Sequence, residues 1–263
     1  MTRLLGQAVV STRSLGSVEL CTLDDGRDVV VKRGDVAAEA AGLRWLAEPG
    51  AVAVPEVLDA DGTVLVTTTV PRGSASRPAA EAFGRSLAAL HAAGAPAFGA
   101  PPPGGPTGAW IGEAPMRNVP HDGPWLDWYL ADRVQPYLRT AVDRGALSAS
   151  AASRIEGAAL RPGPEEPPAR LHGDLWSGNV LWSDDRAWVI DPAAHGGHRE
   201  TDLAMLALFG CPHLETVLAA YDEAAPLADG WRDRVGLHQL FPLLVHATLF
   251  GGGYGDAALR AVT

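Results

Sequence analysis

The sequence predicts an α+β chain of two unequal lobes: a small β-rich lobe first, then a larger, mainly helical one. Three observations carry this. Two pairs of strand-like runs joined by Asp-Gly turns lie within residues 18–70, one pair on either side of a helix. Helical periodicity dominates from residue 79 onward. Between the later helices lies LHGDLWSGNVLWSDDRAWVID (171–191), an apolar run broken by regularly placed carboxylates and an amide.

VELCTL (18–23) and DVVVKR (28–33) are rich in β-branched residues, and Asp24-Asp25-Gly26 between them is hairpin chemistry. Asp35 is placed to cap a helix over 36–48, where Val36, Ala40, Leu43 and Leu46 fall near helical spacing and Pro55 ends the unit. VLDA (57–60) and TVLVTTTV (63–70) read as a second strand pair around Asp61-Gly62. The polar stretch PRGSASRP (71–78) divides the chain into an amino-terminal lobe, 1–70, and a carboxy-terminal lobe, 79–263, with 71–78 as the hinge. A helix over 79–94 opens the second lobe. Residues 95–124, rich in Pro and Gly, are too long for an idle connection and predict a functional loop or ordered coil. Helices follow over 124–145 and 148–160, and three more finish the chain near 201–209, 213–224 and 230–250.

At 263 residues the chain can bury a full core, and 47% apolar with 20% charged residues is ordinary for a globular protein. A net charge of -10 argues against a nucleic-acid binder and is compatible with a cationic partner. Two distant cysteines, Cys21 and Cys211, make no disulfide framework. MTRLLGQAVV lacks the apolar core of a signal peptide. The run LFPLLVHATLFGGG reads as a buried helix, not a membrane span. The expectation is a cytoplasmic, monomeric enzyme.

Segment 171–191 matches the layout of phosphoryl-transfer enzymes of the protein-kinase type: His-x-Asp, an Asn five residues on, and an Asp closing the next apolar run. Phosphoryl transfer needs positioning and charge neutralisation more than covalent work by the protein. Asp174 would accept the proton of an acceptor hydroxyl, and Asn179 and Asp191 would hold Mg2+ against the phosphates of ATP. Each residue alone would read as loop chemistry; the joint spacing is what points to a site. Asp191 is followed by Pro192 where protein kinases have Phe-Gly, which indicates a small-molecule kinase.

Lys32 ends the strand VVVK, and Glu39 lies one turn into the next helix, the layout of the Lys–Glu pair that orients ATP. Lys32 is the single lysine beside twenty arginines, so this position retains a compact ammonium against a strong compositional bias. The phosphate-covering loop should precede strand 18–23, yet STRSLGSV (11–18) offers only Gly16, with Ser14 and Ser17 as polar candidates. Adenine contacts should fall on the backbone of Thr67, Thr68 and Thr69. Trp176, inside the catalytic loop, could stack on a sugar or cover an amine. His198, Arg199 and Glu200 are expected near the mouth of the site. Asp202 would support the loop or favour its own helix dipole. His195, His198, Cys211 and His213 match no standard zinc spacing.

HGDLWSGN, then IDPAAHGGHRETDLAML and FPLLVHATLFGGGY, together with AEAAGLRWL, VPEVL, WIGEAPMRN and WLDWYLADRVQPYL, resemble the fructosamine kinase (ketosamine 3-kinase) family across nearly the whole chain. The resemblance implies a bilobal, protein-kinase-like fold of the aminoglycoside-phosphotransferase type. It also implies ATP- and Mg2+-dependent phosphorylation of a free or protein-bound ketosamine at its third hydroxyl, after which the amine is released. By motif position it makes Asp174 the base, Asn179 and Asp191 the metal ligands, and Lys32 with Glu39 the ATP-positioning pair. A kinase for aminoglycosides or an amino-alcohol such as choline, and a nucleotide-binding pseudokinase, are the competing readings.

Overall fold

The computed structural model describes residues 3–263. The amino-terminal part is an antiparallel six-stranded sheet built from β1 (Arg3–Leu4), β2 (Gln7–Leu15), β3 (Val18–Leu23), β4 (Asp28–Arg33), β5 (Val57–Ala60) and β6 (Val64–Thr68), in spatial order β1-β2-β3-β4-β6-β5. Helix α1 (Ala37–Ala47) lies between β4 and β5 in the chain. Strand alternation decides which residues face the rest of the molecule. In β4, Val29 and Val31 are buried in a sheet core with Cys21, Leu23 and Val66, so Val30 and Lys32 take the opposite face. The β3–β4 turn closes as expected, with Gly26 at φ 85° and the Asp25 carboxylate accepting from the Arg27 backbone.

The helical part contains α2 (Arg77–Ala92), the hairpin β7 (Gly108–Ile111) and β8 (Ala114–Arg117), α3 (Trp125–Trp128), a π turn (Tyr129–Val134), α4 (Gln135–Asp143) and α5 (Ala149–Glu156). Four three-residue strands follow: β9 (Ala169–Leu171), β10 (Val180–Trp182), β11 (Ala187–Val189) and β12 (His195–Gly197). Helices α6 (Arg199–Leu208), α7 (Leu214–Ala224), α8 (Trp231–Phe250) and α9 (Tyr254–Val262) complete it. Strand pairs β9–β12 and β10–β11 are antiparallel, and they bracket the segment 172–179.

Three expectations are corrected, and one holds. Asp35 does not cap α1: its carboxylate accepts from the Trp110 indole, 2.9 Å away, and Val36 at the N-cap makes no side-chain bond. The turn expected ahead of β3 is present: residues 11–18 run from the end of β2 through a tight turn at Gly16 into β3. Residues 95–124 hide the β7–β8 hairpin. A further helix, α9, follows the three expected at the end.

Helix α1 belongs to both parts. Val36, Ala40 and Leu43 pack on Leu65 of the sheet. Trp45 and Leu46 enter the large core formed by Phe83, Leu87, Leu175, Val180, Val189 and Ala194. Burial of a leucine such as Leu46 contributes about 1.5–3 kcal/mol, so this end of the helix is anchored to the helical part. Among the described residues, no helix is long and apolar enough to cross a membrane. Cys21 and Cys211 are free thiols.

Candidate active site

The two short ladders bring the predicted residues together. β9 delivers the chain to His172, Gly173 and Asp174, and β11 delivers Ile190 and Asp191 beside it. The Ile190 amide donates to the Asn179 carbonyl (3.0 Å), and the Ile190 carbonyl lies 2.9 Å from His172 Nε2. Gly173 has φ 83°, and a Cβ there would run into the Ala193 carbonyl, so the loop needs glycine at this point. Asn179 Nδ2 donates to the Asp174 carbonyl (2.8 Å) and to Asp174 Oδ2 (3.0 Å), which leaves its amide oxygen as the group available to a ligand.

Asp202, in the first turn of α6, supports the loop. Its carboxylate accepts from the backbone of His172 (2.8 Å) and Gly173 (3.0 Å) and stands 3.2 Å from His91 Nε2. His91 Nδ1 in turn lies 2.8 Å from the Tyr221 hydroxyl. Burial opposes ionisation of Asp202, but His91, His172 and the Gly173 amide outweigh it and hold its carboxyl below the ordinary range. Of this support only Asp202 is foreseen from sequence. His91 and Tyr221 carry no local signal, because their partners lie 111 and 130 residues away in the chain.

Across the cleft, Lys32 Nζ donates to Glu39 Oε2 at 2.7 Å and to Asp191 Oδ1 at 3.1 Å. Burial works against the ammonium, yet the two carboxylates prevail and raise its pKa. One cation shared by two carboxylates leaves negative charge in excess. Burial, with Asp191 adding to it, pushes Glu39 up to about 7, and burial pushes Asp174 up to about 6 against the opposing bond from Asn179. A hard divalent cation such as Mg2+ would relieve this excess. The oxygen donors of Asn179 and Asp191 suit such an ion.

Two adjoining cavities meet at these groups. One of about 660 Å³ is walled by Leu15, Val30, Thr67, Thr68, Thr69 and Ile190, with Lys32, Glu39 and Asp191 at its end. The other, of about 430 Å³, is lined by Asp174, Trp176, Asn179 and Asp191 on one side and Trp110 and Glu113 of the β7–β8 hairpin on the other. Trp176 is 39% exposed, its ring set edge-on against Phe209. An exposed aromatic beside Asp174 thus lines this second cavity.

His198, Arg199 and Glu200 are not at the mouth, which corrects the expectation for them. His198 and Glu200 are buried, and Glu200 is held by Arg234 through both its oxygens. His198 accepts from the Glu200 amide and packs on Trp125 and His238. Arg199 forms a two-pronged pair with Glu166 and donates to the carbonyls of Ala225 and Pro226. His198, Glu200 and His238 bring possible ligand atoms within 4.8 Å of one another. Arg234 already supplies the positive charge there, so the cluster reads as a satisfied ion pair with neutral histidines.

A family model described as fructosamine kinase matches residues 32–263. The protein named probable ketoamine kinase in Thermus thermophilus is 33% identical over 226 residues, covering 86% of this chain and 80% of the relative. The chloroplastic protein-ribulosamine 3-kinase of Arabidopsis thaliana is 31% identical over 236 residues, 85% of this chain and 70% of the relative. A Thermobifida fusca crystal structure assigned as a fructosamine-3-kinase superposes with a TM-score of 0.90 at 45% identity, over 98% of this chain and 94% of the other.

Proposed function

Because the chain belongs to the fructosamine kinase family, we propose that it transfers the γ-phosphoryl group of ATP to a ketosamine hydroxyl, on a free or a protein-bound amine. The observation that carries this is the meeting of Lys32, Glu39 and Asp191 with Asp174 and Asn179 where two cavities join. One cavity has the size and apolar walls for a nucleotide and the other opens onto a carboxylate beside an exposed tryptophan.

In this reading residues 1–70 carry the nucleotide, 71–78 are the hinge and 79–263 carry the acceptor and catalysis. Adenine lies against Thr67–Thr69 and bonds the backbone beyond the end of β6, since the Thr68 amide already donates to the Glu56 carbonyl. Lys32, oriented by Glu39, holds the phosphates. Asn179 and Asp191 hold Mg2+, which when bound neutralises charge on the phosphates. Asp174 orients the acceptor hydroxyl and takes its proton as the new O–P bond forms, the bond to the β-phosphate oxygen breaks and ADP leaves. Trp176 lies against the sugar or the amine.

ADP release measured with fructoselysine, ribuloselysine, kanamycin and choline tests the reading. Turnover is expected with the two ketosamines. Turnover with kanamycin or choline alone would move the assignment to another amino-alcohol, and nucleotide binding without any turnover would make the chain a pseudokinase. Asp174→Asn should lower turnover by about 10²–10⁴-fold while ATP binding persists; unchanged turnover would remove Asp174 from the mechanism.

A further inference from the structure

The pair that orients ATP is only as well placed as the helix that carries Glu39. Besides its packing on Leu65 of the sheet, helix α1 is held at three points outside it. At its start, the Trp110 indole of the β7–β8 hairpin donates to Asp35 at 2.9 Å. In its middle, the bare Cα of Gly42 admits Pro192 and Ala194, whose side chains would sit 3.3 and 3.2 Å from an added Cβ. At its end stands Arg170. Its Nη1 donates to the Trp45 carbonyl (2.7 Å) and to Glu48 Oε2 (2.9 Å), its Nε reaches the Gly94 carbonyl (3.4 Å), and its guanidinium lies over the Trp45 ring at 4.7 Å.

We propose that Arg170 is a positioning residue that pins the carboxyl end of α1 to the strand bearing the catalytic loop, so that Lys32–Glu39 stands assembled before substrates bind. The proposal rests on the reading of the cleft as a phosphotransferase site. Arg170 lies in β9, two residues before His172, and is 9% exposed. The last turn of a helix presents unpaired carbonyls and the negative end of its dipole, and a planar guanidinium satisfies both. The link is therefore direct: strand β9 carries the base loop forward and grips the Glu39 helix sideways.

Geometry sets the sensitivity. Glu39 is six residues from Trp45, about 9 Å along the axis. A tilt of about 10° about the Trp45 end would move Glu39 by roughly 1.5 Å, and a 2.7 Å bond would open beyond hydrogen-bonding range. Removing the guanidinium would thus act at Lys32, through Glu39, without touching either substrate.

The test is a double-mutant cycle with Arg170→Met and Glu39→Gln, read as ATP dissociation constant by titration calorimetry and as kcat/KM for ATP. Arg170→Met alone should lower kcat/KM for ATP about tenfold, the loss of one charge-assisted bond, and leave the acceptor KM unchanged. In the Glu39→Gln background the same change should cost less than about twofold, because the interaction it serves is already gone. Equal losses in both backgrounds, or no loss in the single variant, would overturn the proposal. Should Arg170→Met fail to fold, Arg170→Lys replaces it in the cycle, with the same coupling expected at smaller amplitude and additivity again overturning the idea. A wild-type chain that binds no ATP would instead defeat the phosphotransferase reading, which the calorimetric arm reports independently of any acceptor.

Discussion

Replacing Asp202 by Asn should loosen the 172–179 loop from beneath without altering any side chain that faces the cavities. Asp202 is 1% exposed, and its two oxygens receive the amides of His172 and Gly173 while facing His91. Asparagine offers one oxygen, and its amide nitrogen would point a donor at a donor. At least one buried N–H is left unpaired, which costs about 1–3 kcal/mol, and the surviving bonds lose their charge assistance. A total near 3 kcal/mol corresponds to a fall in Tm of about 6–12 °C for a chain of this size. The loop also shifts relative to the bound nucleotide, and a displacement of about 1 Å costs on the order of 10²-fold in turnover. Differential scanning fluorimetry and the ADP-release assay read the two effects separately. A Tm within 2 °C of wild type, or full turnover, would show that the carboxylate does not hold the loop.

Two further outcomes follow from the same geometry. In the proposed mechanism Asp174 acts as an ionised base, and burial raises its pKa to about 6 with no metal or nucleotide bound, so its carboxyl 13C signal should titrate near pH 6 in the ligand-free, Mg2+-free chain. A signal that stays flat to pH 5 would contradict that environment. Gly84→Ala should destabilise the fold, because a Cβ on α2 would strike the Val217 carbonyl and crowd Ala220 and Tyr221 of α7. Overpacking of this kind costs about 2 kcal/mol, a fall of roughly 4–8 °C in Tm; an unchanged melting curve would mean the two helices stand farther apart.

Much of the site is legible in the chain because its chemistry is local. Asp174, Asn179 and Asp191 fall within eighteen consecutive residues (174–191), and the short ladders β10–β11 and β9–β12 return them to one place. Lys32 is legible for a compositional reason, as the one lysine at the end of an alternating strand. His198 and Glu200 are misread because polar residues beside a catalytic motif suggest an open mouth. Their burial becomes tolerable only through Arg234 and His238, more than thirty residues on. The β7–β8 hairpin escapes notice because four-residue strands in a Pro- and Gly-rich stretch carry too little alternation to read.

By itself, then, the sequence determined strands β3 to β6 and most of the helices, the carboxylate and amide spacing of the loop, and the lysine opposite it. These depend on local propensity and on residues close in the chain. Only the tertiary structure decided how the two parts are joined. Arg170 meets the end of α1 across 125 residues, and Tyr221, His91 and Asp202 hold the loop from three different helices. Such contacts leave no periodic trace, because a buried hydrogen bond requires only that its partners arrive at the same point in space.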